Sequence, residues 1–245
     1  MKNKHDKEVK MLSDRCLAYE DMKESVVAFV DILGFNNRVK LIRDLKTFVD
    51  VAETIHTIKL IADSVDGDKT LYSNFNCTSI SDSIILSAPY TSSDDVFFML
   101  LLLHRLQFEV LFNIEKTLLR GFVTIGPVYH KESVIFGTGY SSAYECERTI
   151  GHAPRIVVSP EILKSFSSGC MCLKKDTDGY YFIDYLNPLT VRKHSAEKRK
   201  SIEEFIRSKL EEFGSNLKVY PKYKWLENYF GLSLQYFSEL EELPS

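Results

Sequence analysis

The sequence predicts an α/β fold of the α+β kind: a mostly antiparallel sheet with helices on one face, followed by a helical C-terminal extension. Two observations carry this. Strand-like and helical runs follow one another in the order β-α-β-β-α-β-β-α-β, then a hairpin and helices, which is the pattern of a sheet layered with helices. The chain has 245 residues, 44% of them hydrophobic and 27% charged, enough apolar material for a sizeable core and ordinary for a globular protein. It contains no internal repeat, no low-complexity tract and no convincing linker.

Each element has its own warrant. Residues 1–24 are polar, charged and partly helix-periodic, and read as an N-terminal arm or helix. The apolar run at 25–33 within "SVVAFVDILGF" reads as a buried strand. Gly34, Asn36 and Asn37 then turn the chain into a helical region over 39–65, with apolar residues at i, i+3 and i+4. "DGDK" (66–69) is a turn signal, and "TLYSNFNCTSISDSIILSAP" (70–89) contains two β-rich runs meeting at "SISDS". A helix follows at 93–116, with Asp94 and Asp95 near its first turn, where the helix dipole favours them.

"LLRGFVTIGPVYHKESVIFG" (118–137) reads as a strand, a turn at Gly126-Pro127 and a second strand. A short helix at 140–150, a strand at 154–159 and a hairpin around Asp178-Gly179 (171–186) come next, and the chain is helical from 195. The expected division is an arm (1–24), a sheet-bearing domain (25–190) and a helical extension (191–245).

A net charge of −3 gives no electrostatic reason to expect a nucleic-acid partner. The basic cluster "VRKHSAEKRK" (191–200) runs into the acidic "SIEEF" and reads as a solvated helix face. Five cysteines form no CxxC pair and no zinc spacing, and an odd count without a signal peptide fits a reducing cytosol. "VFFMLLLLHRL" (96–106) is the most apolar segment, but His104 and Arg105 stop it short of the ~20 residues of a membrane span. A cytoplasmic protein without a membrane span of its own is expected.

One charge stands out. Asp31 ends an apolar strand, although burying an unpaired carboxylate costs several kcal/mol or forces it to take up a proton. Asp82, in "SISDSIIL", is a natural partner: if the first strand lies beside that hairpin, both carboxylates emerge at one sheet edge. Two close carboxylates repel, and two divalent cations ~3.5–4 Å apart would resolve this while clamping the oxygens of a nucleoside triphosphate. The small side chains of Ser81 and Ser83 leave room for a ligand. On spacing alone, Asp82 holding a turn and Asp31 capping the next helix stays an equal alternative.

At these residues the chain resembles class III nucleotide cyclases. "FVDILGF" is similar to their first-strand motif, in which an aspartate binds metal and the backbone after it cradles phosphate. "SISDS" resembles the hairpin that supplies their second metal aspartate, and "LRGFVTIGPVY" (119–129) their Arg-x-Gly-Ile-x-x-Gly strand pair. "FGTGYSSAYECERT" (136–149) lies where that family has Gly-x-x-x-Asn-x-x-x-Arg, and "PRIVVSPEIL" follows at its next strand. The resemblance spans roughly residues 25–165. It implies a ferredoxin-like cyclase fold, metal bound by Asp31, Asp82 and the Ile32 backbone, and phosphates cradled by Ile32, Leu33, Gly34 and Phe35. It also implies two Mg²⁺ or Mn²⁺ ions per site and a head-to-tail homodimer with sites between two chains.

The departures matter as much. The purine-reading Lys or Glu becomes Thr78, and the second base-reading position becomes Val134. The transition-state Asn becomes Ser141, and the Arg four residues later becomes Glu145. The wording "RGFVTIG…FGTGYSSAYECER…APRIVVS" also resembles the bacterial pyrimidine cyclases of Pycsar anti-phage systems, whose "AY-x-x-E" helix and "PRI" strand correspond to Ala143, Tyr144, Glu147 and Pro154-Arg155-Ile156.

That resemblance implies cyclisation of UTP, or of CTP, to a cyclic monophosphate read by a separate effector. Thr78 and Ser141 can donate to and accept from a pyrimidine edge, and Tyr144 can narrow the pocket. A cation must replace the missing arginine, and Arg120, Arg148 and Arg155 are the candidates. An inactive cyclase-fold binding module and a purine cyclase are the alternatives. A GGDEF-type enzyme is disfavoured because the chain lacks that run.

Overall fold

A computed structural model of the chain describes residues 21–63, 75–113, 116–166, 172–187 and 196–241, with the side chains of 61–63 and 236–241 left aside. The predicted arm (mostly 1–20), the "DGDK" turn and the 190/191 boundary lie outside the described residues.

Strand β1 (Lys23–Ile32) is central, flanked by β3 (Ser83–Pro89) and β4 (Leu119–Lys131), both antiparallel. The order is β2-β3-β1-β4-β6-β8-β7, where β2 is Asn76–Ile80, β6 Ile156–Val158, β7 Leu173–Lys175 and β8 Tyr181–Ile183. Among the described residues only β4 and β6 pair in parallel, and the short β5 (Val134–Phe136) pairs with the end of β4. The sheet is therefore mostly antiparallel, as predicted. β1 is buried from Ser25 onward because it is central and covered on both faces, hence its continuous apolar run.

Alternation along β1 sorts the core into two layers. Val26, Ala28, Val30 and Ile32 face helix α3 (Ser93–Asn113), packing among Met99, Leu103 and Leu106. Val27 and Phe29 face the other way, onto Ala143 and Tyr140 of helix α4 (Thr138–Ile150). Helices thus cover both faces, against the expectation of one. Two glycines permit the second layer: a Cβ on Gly126 would lie 3.0 Å from Gly139 Cα, and one on Gly139 would lie 2.8 Å from Gly126 O. The first turn of α4 rests backbone to backbone on β4.

Two local expectations fail for identifiable reasons. The helix expected at 39–65 is two, α1 (Phe35–Lys40) and α2 (Leu45–Asp63). Asp44 starts the second by accepting from Thr47 N at 2.9 Å, as an N-capping carboxylate does. The turn expected at Gly126-Pro127 is absent, because β4 runs through it and turns only at Glu132, where φ is +54°. Among the described residues β4 pairs only with β1 between 124 and 128, so one of its edges is open there and the missing proline donor is tolerated.

The start of α3 matches expectation, with Asp95 Oδ2 accepting from Thr91 N (2.7 Å) and Ser92 N (2.9 Å). The 171–186 hairpin also forms, with Gly179 at φ +91°. After the short helix α5 (Pro160–Lys164) and this hairpin, helices α6 (Ala196–Glu212) and α7 (Tyr220–Glu241) complete the chain. Ile202, Ile206, Leu226, Tyr229 and Phe230 form one apolar cluster with Leu118, Phe182 and Tyr185, and Leu33 packs against it. The two C-terminal helices therefore abut the turn that follows β1. No helix among the described residues is long and apolar enough to cross a membrane.

Candidate active site

Sheet register brings the charges together. Asp31 stands opposite Ser83 on β3 and opposite Arg120 on β4. One residue further, Ile32 N donates to the carbonyl of Asp82 at 3.0 Å, binding β1 to the two-residue loop Ser81-Asp82. Ser81 holds that loop tight with φ +57°. Asp31 and Asp82 thus share one sheet edge. Burial pushes the Asp31 carboxyl above the usual carboxylate range; Arg120 opposes this by hydrogen bond and charge, and neighbouring Asp82 pushes it up again.

Arg120 is held on three sides. Its Nε and Nη2 donate to Asp31 Oδ2 at 2.9 and 2.8 Å, and its Nη1 donates to Gly151 O at 3.1 Å, just past the end of α4. Glu147, 3% exposed, places Oε1 3.0 Å from Arg120 Nε, but that N–H points at Asp31, so the contact is ionic and Oε1 has no hydrogen bond. Burial also pushes the Glu147 carboxyl upward, with Arg120 pulling it down. One guanidinium faces two desolvated carboxylates, and the Lys222 ammonium is a second positive charge near both.

After Asp31 the chain leaves the sheet. Leu33 N donates to Leu118 O at 2.8 Å, Gly34 turns at φ +79°, and Phe35 is buried at the start of α1. A cavity of about 370 Å³ opens beside Leu33 and Gly34.

The remaining predicted residues lie elsewhere. Arg155, 3% exposed, is locked to Asp176 and Asp178, and Trp225 Nε1 donates to Asp176 at 2.7 Å. Arg148 stacks over the Tyr144 ring, 5.5 Å from its centroid. Thr78 is buried, donating to Glu132 O at 2.9 Å and bonded to His130 Nε2 at 2.8 Å.

Ser141, Tyr144 and Glu145 are on the exposed side of α4, with the Tyr144 ring 5.3 Å from Phe29; Val134 is 50% exposed on β5. α4 runs from Gly126, opposite Ser25, back to Arg120, opposite Asp31. At ~3.3 Å per strand residue, Ser141 is on the order of 15–20 Å from Asp31 in the same chain. One chain does not bring Val134 or Ser141 to its own carboxylates.

Glu147 appeared in the sequence only as part of a helix motif, and its four-residue distance from Ala143 is the signal that turns it inward. Lys222, on α7, carried no signal at all. It is half-buried beside this cluster.

Two carboxylates are hard oxygen donors of the kind that suits Mg²⁺ or Mn²⁺. Among the described residues no group of three or more His, Cys, Asp or Glu forms a closed cage. The pair instead fits an open site, in which substrate phosphates complete the coordination of Mg²⁺.

The architecture is the class III nucleotide cyclase fold. The monomeric guanylyl cyclase domain of the RhoGC fusion protein from the aquatic fungus Blastocladiella emersonii superposes with a TM-score of 0.50 at 16% identity, over 66% of this chain and 95% of that one. The adenylyl cyclase CyaB from P. aeruginosa superposes at 0.44 and 15% identity, over 66% and 93%. No family model matches the chain, and no curated protein does.

Proposed function

We propose that the chain is a nucleotide cyclase acting on a pyrimidine nucleoside triphosphate, UTP before CTP, and that its product is a second messenger in anti-phage defence. The observation that carries the reading is the convergence of Asp31 and Asp82 at the end of β1. The pyrimidine preference and the defence role rest on the sequence resemblance to Pycsar cyclases.

In the reaction, the ribose 3′-oxygen attacks the α-phosphorus and forms the new P–O bond. The bond to the β-phosphate breaks, pyrophosphate leaves, and the 3′-hydroxyl proton is released to water. Asp31, Asp82 and the Ile32 carbonyl would hold Mg²⁺ or Mn²⁺, two ions per site. When bound, the metal supplies neutralisation of the triphosphate and a more acidic 3′-hydroxyl. The Leu33-Gly34-Phe35 turn positions the phosphates, and positioning with charge neutralisation supplies most of the acceleration. Arg120 keeps Asp31 charged and oriented.

Ser141, Tyr144, Glu145 and Val134 act on the site of a second chain, which a head-to-tail homodimer provides; their distance from Asp31 within one chain supports this. Thr78 and Arg155 are held by other partners away from Asp31 and Asp82 and take no direct part in this reading. A separate effector reads the product.

A second reading, an inactive cyclase-fold binding module, draws on the Arg120 guanidinium seated on Asp31. Incubating the full chain with ATP, GTP, CTP and UTP separately, with Mn²⁺, and reading products by mass spectrometry separates the two. Cyclic UMP or cyclic CMP is expected. A cyclic purine would refute the pyrimidine assignment, and no product from a folded dimer would favour the binding module.

A further inference from the structure

The three arginines considered as cations for the leaving group are all engaged: Arg120 by Asp31, Glu147 and Gly151, Arg155 by two aspartates, and Arg148 on Tyr144. The 370 Å³ cavity beside Gly34 presents others. Arg38, Lys116, Lys209 and Lys222 line it against one carboxylate, Glu212, which Lys209 already holds at 2.5 Å. Such an excess of cation in one concavity recognises a polyanion.

Two of these residues, Lys209 and Lys222, come from the C-terminal helices. Their position is fixed by the apolar cluster that seats Leu226, Tyr229 and Phe230 against Leu118, with Leu33 at its border. Among the described residues the Lys222 ammonium has no ion pair or hydrogen bond.

We propose that the C-terminal helical pair is part of the nucleotide site, and that Lys222 binds the terminal phosphates of the triphosphate and the pyrophosphate that leaves. The inference rests on the cyclase reading for its substrate. Gly34 joins the two halves: the β1–α1 turn that follows Asp31 is one wall of the cavity, and α6 and α7 are the opposite wall. A condensed phosphate there would have its inner end near Asp31 and its outer end among Arg38, Lys116 and Lys222. Burial, and next the Arg120 charge, hold the Lys222 ammonium below its ordinary pKa, against the weaker pull of the Asp31 and Glu147 carboxylates. A bound phosphate would relieve that pressure. Lys222 is thus a catalytic residue by contact with substrate, while Lys209, already paired, positions the wall.

The test titrates inorganic pyrophosphate, with Mg²⁺, into the full chain by calorimetry, alongside Lys222→Gln, Lys222→Arg and Lys116→Gln, with turnover of the four nucleoside triphosphates in parallel. Wild type is expected to bind pyrophosphate, Lys222→Gln to bind it about tenfold or more weakly, as loss of a charge-assisted hydrogen bond implies, and Lys222→Arg to retain most of the affinity. Lys116→Gln carries the same expectation of weakening and replaces Lys222→Gln if that variant does not fold.

UTP should displace the pyrophosphate. Failure of wild type to bind, equal binding by a folded Lys222→Gln, or pyrophosphate that no nucleotide displaces would each overturn the inference. Nucleotide turnover with unchanged kcat/KM in Lys222→Gln would overturn it while leaving the cyclase reading intact. Binding lost in Lys222→Gln without turnover of any triphosphate would uphold the pocket and count against the cyclase.

Discussion

The α4-facing side of the sheet carries two buried polar clusters, one toward each end, and they are built on opposite principles. At one end, Thr78, Ser87 and His130 form a neutral network: Thr78 donates to Glu132 O, His130 Nε2 is 2.8 Å from Thr78 Oγ1, and its Nδ1 is 2.8 Å from Ser87 Oγ. With the Thr78 proton directed at Glu132, His130 donates from Nε2 and accepts Ser87 at Nδ1, so every partner is satisfied. At the other end, Asp31 and Glu147 share the Arg120 guanidinium, with Asp82 beside Asp31, and one Glu147 oxygen has no hydrogen bond. The first cluster specifies the fold. The second gathers desolvated carboxylates on one arginine, with burial pushing both carboxyls upward.

The largest expected effect breaks the second cluster without harming the fold. Asp31→Asn should reduce nucleotide turnover by on the order of 10³-fold or more, as loss of a preorganised charge does, while leaving Tm unchanged or higher. Turnover and thermal unfolding on the same sample check both halves; a Tm loss of several degrees would make Asp31 a structural residue and erase the contrast.

His130→Ala should do the reverse, destabilising by about 3 kcal/mol in denaturant unfolding, through a cavity and a stranded Ser87 hydroxyl. The same residue sets an acid limb. Burial lowers the His130 pKa from 6.5 to about 4, so the unfolded chain takes up a proton that the folded one refuses. Its stabilisation is complete above pH 6.5 and is lost as pH falls toward 4, by up to ~3 kcal/mol. Asp31 and Glu147, both raised, have the opposite sign: each favours the fold below its unfolded value (3.8 and 4.5) and loses that contribution as pH rises through its folded one. Stability against pH in wild type and His130→Gln should differ on the acid side, and superimposed curves would refute the assignment.

The smallest effect is expected for Glu147→Gln. Removing a buried charge that the fold disfavours should leave stability unchanged or raise it by up to ~1 kcal/mol. A clear loss in denaturant titration would mean that Arg120 needs Glu147 more than burial penalises it.

The sequence disclosed some of this and concealed the rest for physical reasons. Asp31, Asp82 and Gly34 were legible because each violates a local rule: a charge ending an apolar strand, another between two strands, and a glycine at the exit. Gly126-Pro127 misled because its turn chemistry is overridden by a neighbour; the glycine serves the contact with Gly139 and the proline occupies an open edge. The cover on the second face was hidden in α4, whose few inward residues (Gly139, Ala143, Glu147) are mostly small. Lys222 was invisible because 191 positions separate it from Asp31, and only the packing of α7 brings it near. The Asp176 and Asp178 partners of Arg155 sit in what reads as an ordinary hairpin turn.

Arg120 has a consequence for how this chain can change over generations. Its side chain touches a strand carboxylate, a helix carboxylate and a terminal helix carbonyl together. A replacement at 120 breaks three bonds of different purpose in one step, and no single change elsewhere restores them. Compensation has to come as a set, with Asp31, Glu147 and the end of α4 shifting in concert. Drift at this position is therefore steeply epistatic, and a double-mutant cycle between 120 and 147 should show strong non-additivity.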